Sequence, residues 1–280
     1  APSGTLVPMN AGVAKSNFKW GIRLLPPGQR AAVTAIYAFC RAADDDADLD
    51  PSRGKEAIAR WREEVAACYD GFPKHPVMRN LHPLVRTLKL RREYFDMILT
   101  GMDMDLAGKR YANMDELLGY CDCVAGAVGL LVLQAMGLHE DERAREYSAH
   151  LSYGLQLTNI LRDLREDADR GRVYLPADAM AAYGYSEAEL RKGVASVGFF
   201  KTARFVAKRA DEEFLRAREG LDPMLRRRLL GPEIMRETYE ALLHRIMKAA
   251  DLSLDGHPPR LSQIEKIVIA TATWVHVRYL

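Results

Sequence analysis

The stretch AAVTAIYAFCRAADDDAD, residues 31–48, decides the fold. In its first half Ile36, Phe39, Cys40 and Ala43 recur at threes and fours, the spacing that gathers side chains on one face of an α-helix. In its second half four aspartates stand within the five residues from Asp44 to Asp48. Successive helical residues turn by about 100°, so Asp44, Asp45 and Asp48 share a patch, with Arg41 and Tyr37 further back on the same stripe, while Asp46 falls away. Like charges at i,i+4 cost about 0.2–0.5 kcal/mol per pair, and aspartate is a mediocre helix former. A solvated face would tolerate that cost. The almost wholly apolar run before the acids reads instead as a helix buried nearly all round.

A second segment, NILRDLRED, echoes the first in layout. Gln156, Asn159, Asp163 and Asp167 follow at steps of three, four and four, a polar stripe on a helix otherwise built from Leu155, Leu157, Ile160, Leu161 and Leu164. Carboxylate and amide oxygens are the donors that magnesium prefers. Two such faces turned toward each other inside a helical bundle are expected to hold divalent cations, and through them a phosphate-rich ligand.

The rest of the chain agrees with a bundle. Proline and glycine punctuate it at wide intervals, at Pro26-Pro27, Pro51, Pro73–Pro76, Gly171–Pro176, Gly231-Pro232 and Pro258-Pro259, and alternating β-branched runs are almost absent. This predicts an all-α protein of about ten helices, with Pro27 near the start of the acidic one. At 280 residues, 48% of them apolar, the chain can bury one large core. A net charge of +2 provides no general field for nucleic acid. Four cysteines without CxxC spacing and seven histidines without HExxH argue against a zinc site or disulfide scaffold, leaving buried thiols in a reducing cytoplasm. The opening APSGTLVPMNAG lacks the pattern of a signal peptide, so residues 1–14 are expected to be a flexible leader before a helical domain over 15–280. No run reaches about 18 consecutive apolar residues. The longest, Ala125–Leu138 and Ile267–Val277, are expected to be buried helices, the second also within reach of a membrane surface.

DDDAD fits the acidic motif of class I prenyl-diphosphate enzymes, and five pieces in order resemble the squalene/phytoene synthase family. They are KSNFKWGIRLLP (Lys15–Pro26), AIYAFCRAADDDAD (Ala35–Asp48), GMDMDL (Gly101–Leu106), YCDCVAGAVG (Tyr120–Gly129) and LQLTNILRDLREDADRGRVYLP (Leu155–Pro176). The resemblance implies a single-domain class I isoprenoid synthase bundle with a central cavity, and an enzyme that joins two prenyl diphosphates head to head. It implies Mg2+ (with Mn2+ as a substitute) on Asp44, Asp48, Asn159, Asp163 and Asp167, with Asp45 completing the first patch and Arg41 meeting the diphosphate. It further implies an aromatic lining from Phe18, Tyr37 and Tyr239, and a tunnel wall including Ala125, Gly126, Gly129 and Gln156. Arg170, Arg172 and Tyr174 would form a glycine-hinged flap, and Arg260 would add a basic contact. Asn17 departs from the serine that members often carry before the phenylalanine.

Within the family, GMDMDL, the second acidic motif and the compact chain look most like the bacterial hopanoid-pathway members that convert two farnesyl diphosphates to presqualene diphosphate. That condensation needs no NADPH. Two geranylgeranyl diphosphates giving phytoene, or a product carried on to dehydrosqualene or squalene, are the alternatives. A terpene cyclase is disfavoured because its second motif usually has serine and glutamate where this chain has Asp163 and Asp167. A non-catalytic assembly factor is disfavoured because both acidic motifs are present. The implied setting is the cytoplasm, peripheral at the inner membrane, beside enzymes of the next isoprenoid steps.

Overall fold

A computed structural model describes residues 19–49, 52–219, 221–248, 254 and 259–279. The expected leader, Asn17 and Phe18 lie outside these residues. All regular structure among the described residues is helical: α1 (Lys19–Arg23), α2 (Pro27–Leu49), α3 (Gly54–Asp70), α4 (Pro76–Leu88), α5 (Arg92–Leu106), α6 (Met114–Cys121), a π-helical turn (Asp122–Gly126), α7 (Ala127–Met136), α8 (Glu142–Asp169), α9 (Ala177–Ala182), α10 (Glu187–Arg191), α11 (Val197–Glu219), α12 (Pro223–Arg228), α13 (Leu230–Lys248) and α14 (Gln263–Tyr279). The count exceeds ten because α1, α9, α10 and α12 have only five or six residues, too few for a hydrophobic period to show.

Helix α8 is the axis of the bundle. Asp141 caps it, its carboxylate accepting from the Ala144 N–H at 3.2 Å, and 28 residues at 1.5 Å each give a rod of about 42 Å. Helix α11 packs along it, and the approach is close because residue 154 is glycine. A Cβ there would stand 2.5 Å from the ring of Phe214, which is itself fully buried. On α2, Pro27 begins the helix as expected. The back of α2 is fixed by Phe39, whose ring meets Trp61 at 5.5 Å and Phe95 at 5.1 Å, both edge to face. Trp61 then donates its indole N–H to Asp46 at 3.0 Å. The odd aspartate thus turns toward α3, which leaves Asp44 and Asp48 to face elsewhere.

Helix α6, the π turn and α7 form one continuous apolar segment, Met114–Met136, the one helix among the described residues long and apolar enough to cross a membrane. It lies against α5, α2 and α8 as a core element. The π turn crosses α5 at Gly101, where a Cβ would come within 2.3 Å of Val124. Two successive α8 side chains staple it: Ser152 donates to the Ala125 carbonyl at 3.2 Å and Tyr153 to the Asp122 carboxylate at 2.6 Å. Such turns relax the regular ladder and re-aim side chains.

Substituting Gly154→Val should overpack the α8–α11 seam. The expected loss is about 2–3 kcal/mol in chemical denaturation, with the slope of the transition unchanged.

Candidate active site

Between α1, α2, the π turn, α7, α8 and the start of α13 lies an apolar cavity of about 270 Å³. Its α8 wall is two adjacent i,i+4 rows, Tyr147–Leu151–Leu155–Asn159 and Ser148–Ser152–Gln156. From Tyr147 to Asn159 this covers about 18 Å. On α2 the wall runs through Val33, Ile36, Tyr37 and Cys40. Both rows end one turn before the acidic motifs. A greasy groove therefore opens onto a charged end. At the inner end Tyr147 donates to Glu233 at 2.8 Å, and Glu233 is bound by Arg236 at 2.9 Å, so the one phenol there is tied into a buried ion network.

At the charged end the two motifs meet through the segment that follows α8. Gly171 has φ +78°, a conformation only glycine adopts cheaply, and the chain turns back there. Arg172 then reaches Asp48 at 2.6 Å and Arg170 reaches it at 2.8 Å. The two acidic helices thus end at the same place. Each carries no basic residue in its last turn, so the negative helix poles add to the carboxylates.

The charges respond accordingly. Burial first, and Asp163 next, push the Asp167 carboxyl up to about 7. Asp44 is also raised, by burial and then by Asp48. Asp105 is pushed up to about 6 by burial, although Tyr174 donates to it at 2.7 Å and Tyr120 at 3.0 Å. Asp163 and Asp45 have cations of their own. Asp163 is gripped by both arms of Arg162, at 2.7 and 2.5 Å. Arg41 pairs with Asp45 at 2.6 Å and with Asp44 at 3.6 Å.

Among the described residues no three acidic, histidine or cysteine side chains converge into a ready-made metal centre. Arginines accompany the two carboxylate faces, Arg170 and Arg172 on Asp48 and Arg162 on Asp163. The residues nevertheless fit a hard divalent cation. The Asn159 side-chain oxygen is buried without a hydrogen-bond partner where the cavity meets the charged end. Asp44, and Asp167 two turns further along α8, are held above their ordinary range, which is the condition of oxygen donors short of positive charge.

The other expected site residues fall as follows. Tyr37, Ala125, Gly129 and Gln156 line the cavity. Gly126 is buried behind the wall, where a Cβ would meet Asp122 at 3.3 Å. Tyr239 is buried off the wall, hydrogen-bonded to Arg162, so it does not supply a cavity face. Arg260 is exposed, and its carbonyl accepts from Arg245 at 2.8 Å.

Four further residues join the site without having been expected. Asp105 and Tyr120 lay inside GMDMDL and YCDCVAGAVG, but only packing separates Asp105, turned inward, from Asp103, which pairs outward with Arg62 at 2.7 Å. Arg162 stood next to Asp163. Lys266 is buried, with its ammonium pushed below the usual range by burial and then by Arg162 and Arg260. Its signal was a single cation within the first turns of an apolar helix. Arg162 and Arg260 thus both act on the Lys266 ammonium, and Arg162 is in turn held by Asp163 of the second acidic motif.

A carboxyl raised by folding destabilises the native state as pH climbs from its free value of 3.8 through about 7. Asp167→Asn should therefore raise the melting temperature by ~2–8 °C at about pH 8 with a chelator present, corresponding to about 1–3 kcal/mol, and the gain should shrink toward acid. Scanning calorimetry at several pH values checks both sign and window.

Comparison with known proteins agrees with this architecture. The family model described as squalene/phytoene synthase matches residues 13–265. A presqualene diphosphate synthase from Sinorhizobium fredii is 36% identical over 91% of both chains. A phytoene synthase from Arthrospira platensis is 35% identical, covering 81% of this chain and 76% of that protein. Among solved structures, a ligand-bound dehydrosqualene synthase superposes with a TM-score of 0.83 at 25% identity, over 97% of this chain and 96% of the other. With the acidic motifs at the mouth of one apolar cavity and the family model spanning the helices that build it, the chain belongs to the squalene/phytoene synthase family.

Proposed function

We propose that the protein joins two farnesyl diphosphates head to head to give presqualene diphosphate. The observation that carries this reading is the convergence of two acidic helix ends at the mouth of a single prenyl-sized apolar cavity. The relatives of that name aligned over nine-tenths of both chains support it.

On this reading Asp44, Asp48, Asn159, Asp163 and Asp167 hold divalent cations, Mg2+ or Mn2+. When bound, these supply the positive charge that draws diphosphate away from the allylic carbon. The chain's own groups do the rest. Arg162, Lys266 and Arg260 take diphosphate oxygens that the metals leave free, and Arg41 and Arg172 exchange carboxylate partners for phosphate ones. The wall from Tyr37 to Gln156 takes the prenyl tail and keeps water from the allylic cation, with the Tyr37 ring facing it. The double bond of the second substrate attacks that cation to leave a tertiary cation, and the departed diphosphate takes a proton from the newly joined carbon as the cyclopropane closes. Tyr120 and Tyr174, paired over Asp105, hold the flap segment beside the acids. No reductant enters this sequence.

Phytoene formation is the second reading, supported by the phytoene synthase relative. Incubation with farnesyl or geranylgeranyl diphosphate, with and without Mg2+ and NADPH, separates the two by mass spectrometry. Presqualene diphosphate that is unaffected by NADPH and lost with a chelator is expected. Phytoene from the longer substrate would replace the reading, and a cyclic hydrocarbon from one substrate would overturn the family chemistry for this chain.

Asp163→Ala should lower turnover by about 10²–10³-fold while the fold persists by circular dichroism. Cation binding must displace protons from Asp44, which is raised, and from Asp167, which is pushed up to about 7, in the window reaching down to their free value of 3.8. Affinity for Mg2+ should accordingly fall as pH drops through that window. Calorimetric titration in buffers of different protonation enthalpy should show net proton release.

A further inference from the structure

Helix α14 is turned inside out. Its buried face is Lys266, Ala270, Thr273 and Val277, while its exposed arc carries Ile264, Ile267, Val268, Trp274, Val275 and Tyr279. At 100° per residue these six fall within one half of the helix. Ile264 is 75% exposed, Val268 60% and Tyr279 77%. Scattered exposed apolar residues are ordinary, whereas a contiguous helical stripe marks a surface that meets something apolar.

The surrounding charge identifies the occupant. No carboxylate lies on the arc, for the single acid of α14, Glu265, turns aside to pair with Arg245. The charged residue on the arc is Arg278, its guanidinium 5.7 Å from the Trp274 ring centre. Helix α12 abuts the same end, with Met224 76% exposed and three arginines in its last turn. Of these, Arg227 and Arg228 are exposed, and Arg227 donates to the Val277 and Arg278 carbonyls, both at 3.4 Å. Aliphatic side chains, terminal tryptophan and tyrosine, and a border carrying Arg227, Arg228 and Arg278, with Glu265 and Asp222 already paired to arginines, are the composition of a helix that lies in the interface of an anionic bilayer.

We infer that the outer face of α14, with the α12 arginines beside it, docks the protein onto an anionic lipid surface. Helix α14 packs on α13 and α1, which supply Gly21, Ile22, Gly231 and Met235 to the cavity wall. Docking therefore brings the wall of the prenyl cavity to within one helix of the bilayer. The inference does not depend on which product is made.

Flotation of the full chain with phosphatidylcholine vesicles, with and without phosphatidylglycerol, tests it. Wild type should float with the phosphatidylglycerol vesicles, more weakly with phosphatidylcholine alone, and less as salt rises. The double variant Val268→Glu/Val275→Glu should lose about 100-fold in partitioning, about tenfold for each side chain removed from lipid, with an unchanged melting profile and unchanged turnover of dissolved substrate. As a second readout, brominated lipid should quench tryptophan emission in wild type and much less in Trp274→Phe. Absence of wild-type binding, equal binding by the double variant, or a wild-type dimer in ultracentrifugation that the double variant abolishes would each overturn the docking. Loss of turnover in wild type with vesicle binding intact would count against the proposed reaction and leave the docking standing.

Discussion

Negative charge accumulated at one end of two helices is the constraint on which the rest of the molecule depends. Helices α2 and α8 each deliver carboxylates to their own negative pole, and the bend at Gly171 closes these ends on one another. Such an arrangement costs stability unless positive charge arrives. Part of it comes from within the chain, through Arg170 and Arg172 on Asp48 and Arg162 on Asp163. The rest is left unmet at Asp44, Asp167 and the unpartnered Asn159 oxygen. Local instability of this kind is what a site pays when its stabilisation is to be supplied by ligand.

Holding those ends in place requires stiffness elsewhere. The aromatic lock of Phe39, Trp61 and Phe95, the glycine-mediated contact of α8 with Phe214, and the stapled π turn are all buried packing devices. Between them they leave an apolar slot that ends where the charges begin. The same frame explains the separate cationic cluster of Arg162, Lys266 and Arg260, since cations that repel one another hold an anion more strongly than they hold the apo fold. Acid and base are therefore gathered at the charged end of an apolar slot, which suits a ligand with a phosphate head and a hydrocarbon tail.

How much of this could be read from the chain follows from the range of each interaction. Helical class, the two acidic stripes, the divergence of Asp46 and the glycine hinge are local, because a 3.6-residue period and a positive φ are properties of neighbours in sequence. The stripe of Tyr37 with Asp44, and that of Gln156 with Asn159, followed from the same arithmetic, while their shared cavity was implied by the family resemblance. Tyr239 misled because an aromatic residue on an amphipathic helix gives no sign of which buried neighbour it will meet, and it met Arg162.

The sequence by itself determined which residues share a helical face and which family pattern they make, since both are fixed by spacing along one chain. Only the tertiary structure decided which charges meet across helices: Arg172 with Asp48, Asp105 rather than Asp103 at the site, Lys266 beside Arg162. It also decided that the apolar side of α14 faces outward. These outcomes depend on contacts between residues tens to more than a hundred positions apart. The energies involved come from burial and long-range Coulomb interactions, which have no counterpart in local periodicity.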